Sequence, residues 1–437
     1  EAFADLLEQI GSDNAGQQDR IQQEIDLSQR AQFWGGDDKI IITPNPIPAV
    51  LLKHNVAKVG YENVKNLWPK NFDIRLCKSI LNDPELMNVV IKIYQSNQGV
   101  KVSSYSVTED YIDLLRFLEG RTTGWRAANL PKTTNPPDLV RFIDSKNGFR
   151  KIIANLLPQG NLKLPRGFIC KTESDIAAAI PSFLNVGKGF VVKVHNGESG
   201  WGVKIMDNSS IQKLGQEKIS IWLHKLFESD PIWDFAPYIV EEFIPVDKTI
   251  GGGFPSGEGH IGDEGFIFDY NCGQEIIKES SFEGVALSGS IIPASVNESM
   301  KIGIDMIGKR LQGKGYRGTF DVDFAAGQDG NLYILESNAR MTGGTHVYNI
   351  TYYLGLNESD AYVISNDSFH YDAPTKKPEK ILALLSDVLY PIQHQKRGII
   401  ISFVSLNRPI IGIITVGQSK EDAHSLIQRA KDCLNAH

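Results

Sequence analysis

The residues best equipped for chemistry lie on one short stretch, GTFDVDFAAGQDGNLYILESNAR (318–340), which sets two aspartates, a glutamate and an asparagine into an otherwise apolar pattern. Asp329-Gly330 is the dipeptide favoured in a two-residue type I′ hairpin loop, with runs of strand-forming residues on both sides. Opposed residues then have numbers that add to 659, so that Asp323 faces Glu336, Asp321 faces Asn338 and Phe324 faces Leu335. Because side chains alternate between faces, Asp321, Asp323, Glu336 and Asn338 share one face. Phe320, Val322, Phe324, Tyr333 and Leu335 share the other, which packs a core.

Two carboxylates opposite each other, with Cβ atoms roughly 5 Å apart, repel unless something positive lies between them. A solvated hairpin face is the bland explanation. The chemical one is a hard divalent cation, Mg²⁺ or Mn²⁺, shared with phosphate oxygens. A second feature favours phosphate. Lys193 lies in the strand-like run FVVKV (190–194), and Gly197, Gly200 and Gly202 follow in the loop GESGWG. A lysine beside backbone N–H groups freed by glycine makes a cradle for phosphate. The spacing is neither GxxxxGK[ST] nor GxGxxG, which excludes a P-loop and a Rossmann fingerprint.

The elements that must position these groups follow from the pattern around them. Residues 1–38 are polar and Gln-rich, and form an expected helical arm. The strand KIIIT (39–43), the helix 49–60 capped by Gly60 and the helix EDYIDLLRFLEG (109–120) make a small α/β domain over 39–140. A helix is expected over 139–160, a hairpin over 190–206 and a strand at YIVEEFI (238–244), within a second domain spanning 141–355. GGGFPSGEGHIGDEGF (251–266) reads as a long glycine-rich loop. The strands RGIIISFVSL and PIIGIITVG, with a closing helix EDAHSLIQRAKDCL, make a C-terminal α+β module, 356–437.

Composition narrows the partners. A formal charge of −7 without a Lys/Arg stripe offers no field for a nucleic-acid backbone. No apolar run approaches the ~20 residues of a membrane span, and there is no charged-then-apolar leader. Cys77, Cys170, Cys272 and Cys433 are scattered without CxxC, which suggests reduced thiols and a cytoplasmic setting. His195, His260 and His346 show no ligand spacing and are not assigned a catalytic part, although His346 lies close in sequence to the acidic hairpin.

Lysine, glycine loop, acidic strand and E-x-N hairpin, in this order, resemble the ATP-grasp superfamily over roughly residues 140–350. The resemblance implies an α+β multidomain fold in which two lobes clamp nucleotide, preceded by a small α/β pre-ATP-grasp domain. It also implies residue roles. Lys146 and Lys193 resemble the two phosphate-contacting lysines, and Gly197, Ser199, Gly200 and Gly202 the lid. Glu241 resembles the hinge residue beside the adenine amine, with the backbones of Glu242 and Ile244 on the purine edge and Asp247 near the ribose. Asp323, Glu336 and Asn338 resemble the metal ligands. Arg340, with Arg317 as a second candidate, resembles the arginine that stabilises the transferred phosphoryl; Asp321, which the register sets opposite Asn338, reads as a partner of that ligand or a further ligand.

The strand with TPNPIP resembles the pre-ATP-grasp domain, and the C-terminal strands resemble the closing module of the pheganomycin-type peptide ligases. The implied reaction is ATP-dependent ligation of an acid to the amine of an amino acid or peptide through an acylphosphate, with ADP and phosphate released. A homodimer is compatible with the resemblance. A small-molecule kinase on the same fold, or a regulatory protein that binds ATP without turnover, are the alternatives.

Overall fold

The alternation that suggested a two-faced hairpin builds a whole sheet of the same kind. The computed structural model describes residues 4, 7, 8, 15–97, 100–121, 126–127, 136–154, 156, 160–197, 200–278, 281–357, 359–372 and 375–435. They group into two compact units, one of residues 129–282 and 292–341, the other of 1–128, 283–291 and 342–437.

The first unit begins with two helices, α1 (Pro137–Asp144) and α2 (Lys146–Ile153). Here the expected single helix over 139–160 is corrected. Ser145 leaves helical geometry and its Oγ accepts the Gly148 N–H at 3.1 Å, capping a new helix. Gly148 permits the tight junction, since a Cβ there would stand 1.7 Å from the Phe142 carbonyl oxygen. Strands β1 (Gly167–Cys170), β2 (Phe190–Val194), β3 (Val203–Met206) and β4 (Tyr238–Glu242) form an antiparallel sheet in the order β1-β4-β2-β3.

The larger sheet of this unit contains β5 (Pro255–Gly262), β6 (Gly265–Lys278), β7 (Gly318–Ala326) and β8 (Leu332–Asn338), ordered β6-β5-β7-β8, with Leu162–Lys163 parallel on β8. The expected loop 251–266 is thus corrected to a central strand. Its glycines are required by packing. A Cβ on Gly257 would lie 2.3 Å from Ile304 Cδ1 of α3 (Ala294–Gly313), and one on Gly259 2.5 Å from the Phe266 ring. Helix α3 buries Met300, Ile304, Ile307 and Leu311 at helical spacing against this side, where Phe320, Val322, Phe324, Leu332 and Ile334 are also buried.

The hairpin of β7 and β8 differs from expectation twice. Its loop holds three residues, Gln328, Asp329 and Gly330, closed by Gly327 N–H on Asn331 O at 2.8 Å with Gly330 at φ +79°. Near the turn, paired numbers therefore add to 658, as in Phe324↔Ile334. A β-bulge at Leu335 then inserts one residue, which restores Asp323↔Glu336 and Asp321↔Asn338. The two departures cancel at the carboxylates. They do not cancel between them: Tyr333 and Leu335, expected in the core, instead join Ile244, Ala325, Val246 and Phe254 in a separate apolar cluster.

In the second unit, Lys39–Ile42 pairs parallel with Val64–Leu67, and helix Ala49–Val59 ends on Gly60 at φ +75°. Strands Tyr362–His370, Gly398–Val404 and Ile410–Gly417 pair antiparallel around Leu51, Ile381, Leu385, Ile399, Ile413 and Leu426. The segment expected as an arm is bound into this core. Gln29 and Gln32 donate to the Val404 and Ser402 carbonyls, each at 3.0 Å, and Arg30 pairs with Asp367 at 2.7 Å. The pieces expected over 1–38, 39–140 and 356–437 do not set the units: residues 1–128 and 342–437 group together, while 129–140 belong to the first unit.

Candidate functional site

Strand pairing lays the polar residues of the larger sheet out in rows on the face away from α3. One row reads Cys272, Ser256, Asp323, Glu336, and the next Tyr270, Glu258, Asp321, Asn338. Asp323, Glu336 and Asn338 are brought together as expected. Ser256, Glu258 and Cys272 are additions, hidden when 255–262 reads as a loop. The signal was present: polar residues at 256, 258 and 260 alternate with glycines at 257 and 259, which is strand periodicity with one face stripped of side chains.

Burial and like charge govern this face. The Asp323 carboxyl is pushed up to about 6, by burial first and the Glu336 charge second. Asp321 rises well above the carboxylate range through burial and the Asp323 charge. It accepts from Asn338 N and Nδ2 at 2.8 and 2.9 Å, which turns the Asn338 Oδ1 outward, where Arg340 Nη2 lies 3.0 Å away. Burial opposes ionisation of Glu336 too, yet Lys146 and Lys193 outweigh it and hold the pKa low. Burial, Asp323, Asp321 and Glu258 push the Cys272 thiol well up, so it stays protonated.

Lys146 is the first residue of α2. Its Nζ lies 3.1 Å from Glu336 Oε2 and donates to Gly197 O at 2.7 Å. Lys193 Nζ lies 2.7 Å from Glu241 Oε2, whose other oxygen accepts from Arg150 Nε at 3.0 Å. Burial would discharge Lys193, but Glu241 and Glu336 more than offset it. The side chain of Glu241 is therefore part of a buried ion triad inside β4, flanked in the sheet by Gly167 and Val191. Glu242 pairs with Lys188 and caps Arg166 N at 2.8 Å, and its own N–H donates to Arg166 O at 2.9 Å. That N–H is engaged in the sheet rather than turned to a purine edge. The Ile244 N–H has no such backbone partner among the described residues.

The remaining expected residues are placed as follows. Asp247 accepts from Thr249 N and Oγ1 at 2.9 and 2.7 Å, in a turn after β4. Gly197, Gly200 and Gly202 form the β2–β3 connection, where Gly200 and Gly202 take φ of +84° and +74°; Ser199 lies outside the described residues. Arg340 Nε stands 3.4 Å from Asp144 Oδ2. Arg317 Nη1 donates to the Tyr316 and Gln312 carbonyls at 2.8 and 3.5 Å. His346 belongs to the other unit, where it is buried 3.9 Å from Asp367.

Among the described residues, no three His, Cys, Asp or Glu side chains converge into a ready-made metal cage. Asp323, Glu336 and the Asn338 Oδ1 are all hard oxygen donors, and Asp323 stands directly opposite Glu336, whose charge helps to raise its pKa. This donor set fits a divalent cation that completes its shell with phosphate oxygens.

No protein-family model matches the sequence, and no curated protein matches it. Solved structures do match its fold. Biotin carboxylase of Campylobacter jejuni, in a β-γ-ATP complex, aligns at a TM-score of 0.55 and 10% identity over 92% of this chain and 87% of that one. N5-carboxyaminoimidazole synthetase of Staphylococcus aureus aligns at 0.51 and 14%, over 94% and 95%. The Aspergillus clavatus N5-carboxyaminoimidazole synthase, in complex with ADP and 5-aminoimidazole ribonucleotide, aligns at 0.51 and 11%, over 91% and 99%. The chain has the α+β multidomain ATP-grasp fold. No described helix is long and apolar enough to cross a membrane.

Proposed function

We propose that this protein is an ATP-dependent carboxylate–amine ligase that forms an amide bond through an acylphosphate. The observation that carries the reading is the meeting of a half-buried and a buried lysine with an opposed carboxylate pair: Lys146 lies on Glu336, and Lys193 contributes to the same field. Structural neighbours that are ATP-grasp enzymes, one of them crystallised in a complex with ATP, support nucleotide use. Asp323, Glu336 and Asn338 would hold Mg²⁺, which when bound neutralises phosphate charge. Lys146 and Lys193 would grip the phosphates, with Gly197, Ser199, Gly200 and Gly202 as the lid. The cluster of Ile244, Tyr333 and Leu335 offers an apolar seat for a purine, with the Ile244 N–H at its edge and Asp247 near the ribose.

The acid's oxygen attacks the γ-phosphorus and the β–γ bond breaks, releasing ADP. The amine nitrogen then attacks the acyl carbon and phosphate leaves. Arg340, with Arg317 in reserve, would stabilise the charge on the transferred phosphoryl and on the tetrahedral oxyanion, an effect of positioning and electrostatics. An amino acid or peptide as amine, as in the pheganomycin-type ligases, is the finer form of this reading. It is tested by screening carboxylic acids with Mg-ATP and hydroxylamine. Hydroxamate with ADP and phosphate is expected, whereas AMP, or a phosphate ester formed regardless of amine, would refute it.

A further inference from the structure

The carboxylate face carries a pair of residues that phosphoryl transfer does not use. His260 follows Ser256 and Glu258 along β5 at every second position, with Gly257 and Gly259 turned to α3 and the Phe266 ring. It therefore shares their face, and it sits opposite Thr319 as Glu258 sits opposite Asp321. On β6, Phe266 and Phe268 look the other way: Phe266 packs 5.6 Å from the Phe320 ring, and Lys301 of α3 lies 5.6 Å over Phe268. A β-bulge at Asp269 then switches the strand, so that Tyr270 and Cys272 oppose Glu258 and Ser256. Both Asp269 oxygens come to 3.0 Å from His260 Nδ1. Bulges re-aim side chains in this way beside active sites.

Strands β5 and β8 are each antiparallel to β7, so the step from Ser256 to His260 runs in the same direction as that from Glu336 to Arg340. His260 therefore stands at the end of the face where β8 stops at Asn338, with Arg340 two residues further on. With Nδ1–H donated to Asp269, the lone pair is on Nε2, and the imidazole is 42% exposed. The surface alternative, an ordinary His–Asp pair of little energetic weight, does not account for a bulge that brings the carboxylate onto this face.

We propose that His260, held by the positioning residue Asp269, accepts the proton that the ammonium form of the amine must lose before it can attack the acyl carbon. This rests on the ligase reading. An α-amino group is largely protonated at pH 7 and is not a nucleophile in that form. Nε2 takes one proton from the ammonium group and passes it to solvent; the free amine then attacks, and as the C–N bond forms and the C–O bond to phosphate breaks, phosphate leaves with its electron pair and the nitrogen's second proton goes to the departing phosphate. The groups facing His260 are Asp269 and Ile267 from β6, Glu258 from its own strand and Thr319 from β7. Asp269 and Glu258 favour the protonated ring, against burial, and so strengthen it as a base.

The test compares His260→Gln and Asp269→Asn with wild type, using Mg-ATP, an acid from the hydroxamate screen, and either hydroxylamine or each of the twenty amino acids. Hydroxylamine is already neutral at pH 7 and needs no proton removed before it attacks. Both variants are expected to form hydroxamate still, while His260→Gln loses amino-acid coupling by at least about 100-fold and recovers it as rising pH deprotonates the amine. Asp269→Asn should lose less and shift the acidic limb of the pH profile. Amino-acid coupling by His260→Gln equal to wild type at every pH overturns the proposal, and so does parallel loss of hydroxamate. Wild-type turnover with hydroxylamine but with no amino acid overturns it as well. No hydroxamate from wild type with any acid is a different failure, that of the ligase reading, and the inference falls with it.

Discussion

Lys146 Nζ sits 3.1 Å from Glu336 Oε2, so a side-chain ammonium already occupies the charge position that a divalent cation would take on that carboxylate. On the proposed reading a bound metal and Lys146 would compete for Glu336, and a nucleotide would resolve the competition by giving the lysine its phosphates. Lys146→Met is therefore expected to act with opposite signs on two ligands. Mg-ATP should bind at least tenfold more weakly, about 1.4 kcal/mol, while Mn²⁺ alone should bind more tightly. Titration calorimetry with each ligand checks this, and a weakening of both would show Lys146 to be a structural support instead.

Glu336→Gln should abolish turnover with little change in melting temperature. The side chain is a quarter exposed, 25%, and its neutral amide keeps the shape of the face. Removing the charge also relieves Asp323, whose pKa Glu336 helps to raise. The expected result is a loss of at least about 1,000-fold in ADP release, as for removal of a group that acts in the transition state, with circular dichroism unchanged. Activity near wild type at saturating Mg²⁺ would remove Glu336 from the metal set.

How far the site was legible depended on which physical rule was at stake. Period-two alternation put Asp323 opposite Glu336 correctly, although a three-residue loop and the bulge at Leu335 each broke the assumed register and cancelled only beyond Leu335. The same cancellation hid Tyr333 and Leu335, because a bulge leaves no mark in composition. Glu241 and Glu242 read alike in sequence, as adjacent acids at a strand end. Their roles were decided by distant cations, Lys193 and Arg150 for one and Lys188 for the other. The strand holding Glu258 read as a loop since glycine is depleted from strands in general, and only the close approach of Ile304 and Phe266 explains it. The fold class was legible because the order of lysine, glycine loop and acidic hairpin survives all of these local departures.

Gly148→Ala should resemble Lys146→Met in nucleotide binding, although it touches no ligand. A Cβ at this position meets the Phe142 carbonyl at 1.7 Å and Ser145 Oγ at 2.8 Å. The turn that starts α2 must open, and Lys146 moves with it. Overpacking of this kind costs about 1–3 kcal/mol in stability. The readout is a lowered melting temperature together with weakened Mg-ATP binding, and retained affinity would mean that the helix start does not set the lysine.

His195 gives the chain a pH-dependent component of stability. Burial first, and Lys146 second, pull its pKa down from 6.5 to about 4. The folded state prefers the neutral ring, so the contribution is complete above the unfolded value and is lost as pH falls through the window from 6.5 to 4. After allowance for the ring's partial exposure, the loss is about 1–2 kcal/mol. Urea unfolding at pH 7 and pH 4.5 should show wild type losing more stability than His195→Gln by that amount. Equal losses would place the ring's titration outside folding.

Deleting Leu335 separates purine binding from phosphate binding. Before the bulge, paired numbers add to 658, so removing the inserted residue continues that ladder and still brings the glutamate now at 336 opposite Asp323. The carboxylate pair, Asn338 and the lysines keep their places. What is lost is an apolar side chain from the cluster of Ile244, Ala325 and Tyr333, next in sequence to Glu336. Inorganic tripolyphosphate with Mg²⁺ should therefore bind the deletion variant as it binds wild type. Mg-ATP should bind about tenfold more weakly, roughly 1.4 kcal/mol, the scale of a partly buried leucine side chain. Calorimetry with both ligands reads the difference directly. If tripolyphosphate weakens as much as ATP, the bulge is part of the register that holds the carboxylates; if neither changes, the purine lies elsewhere.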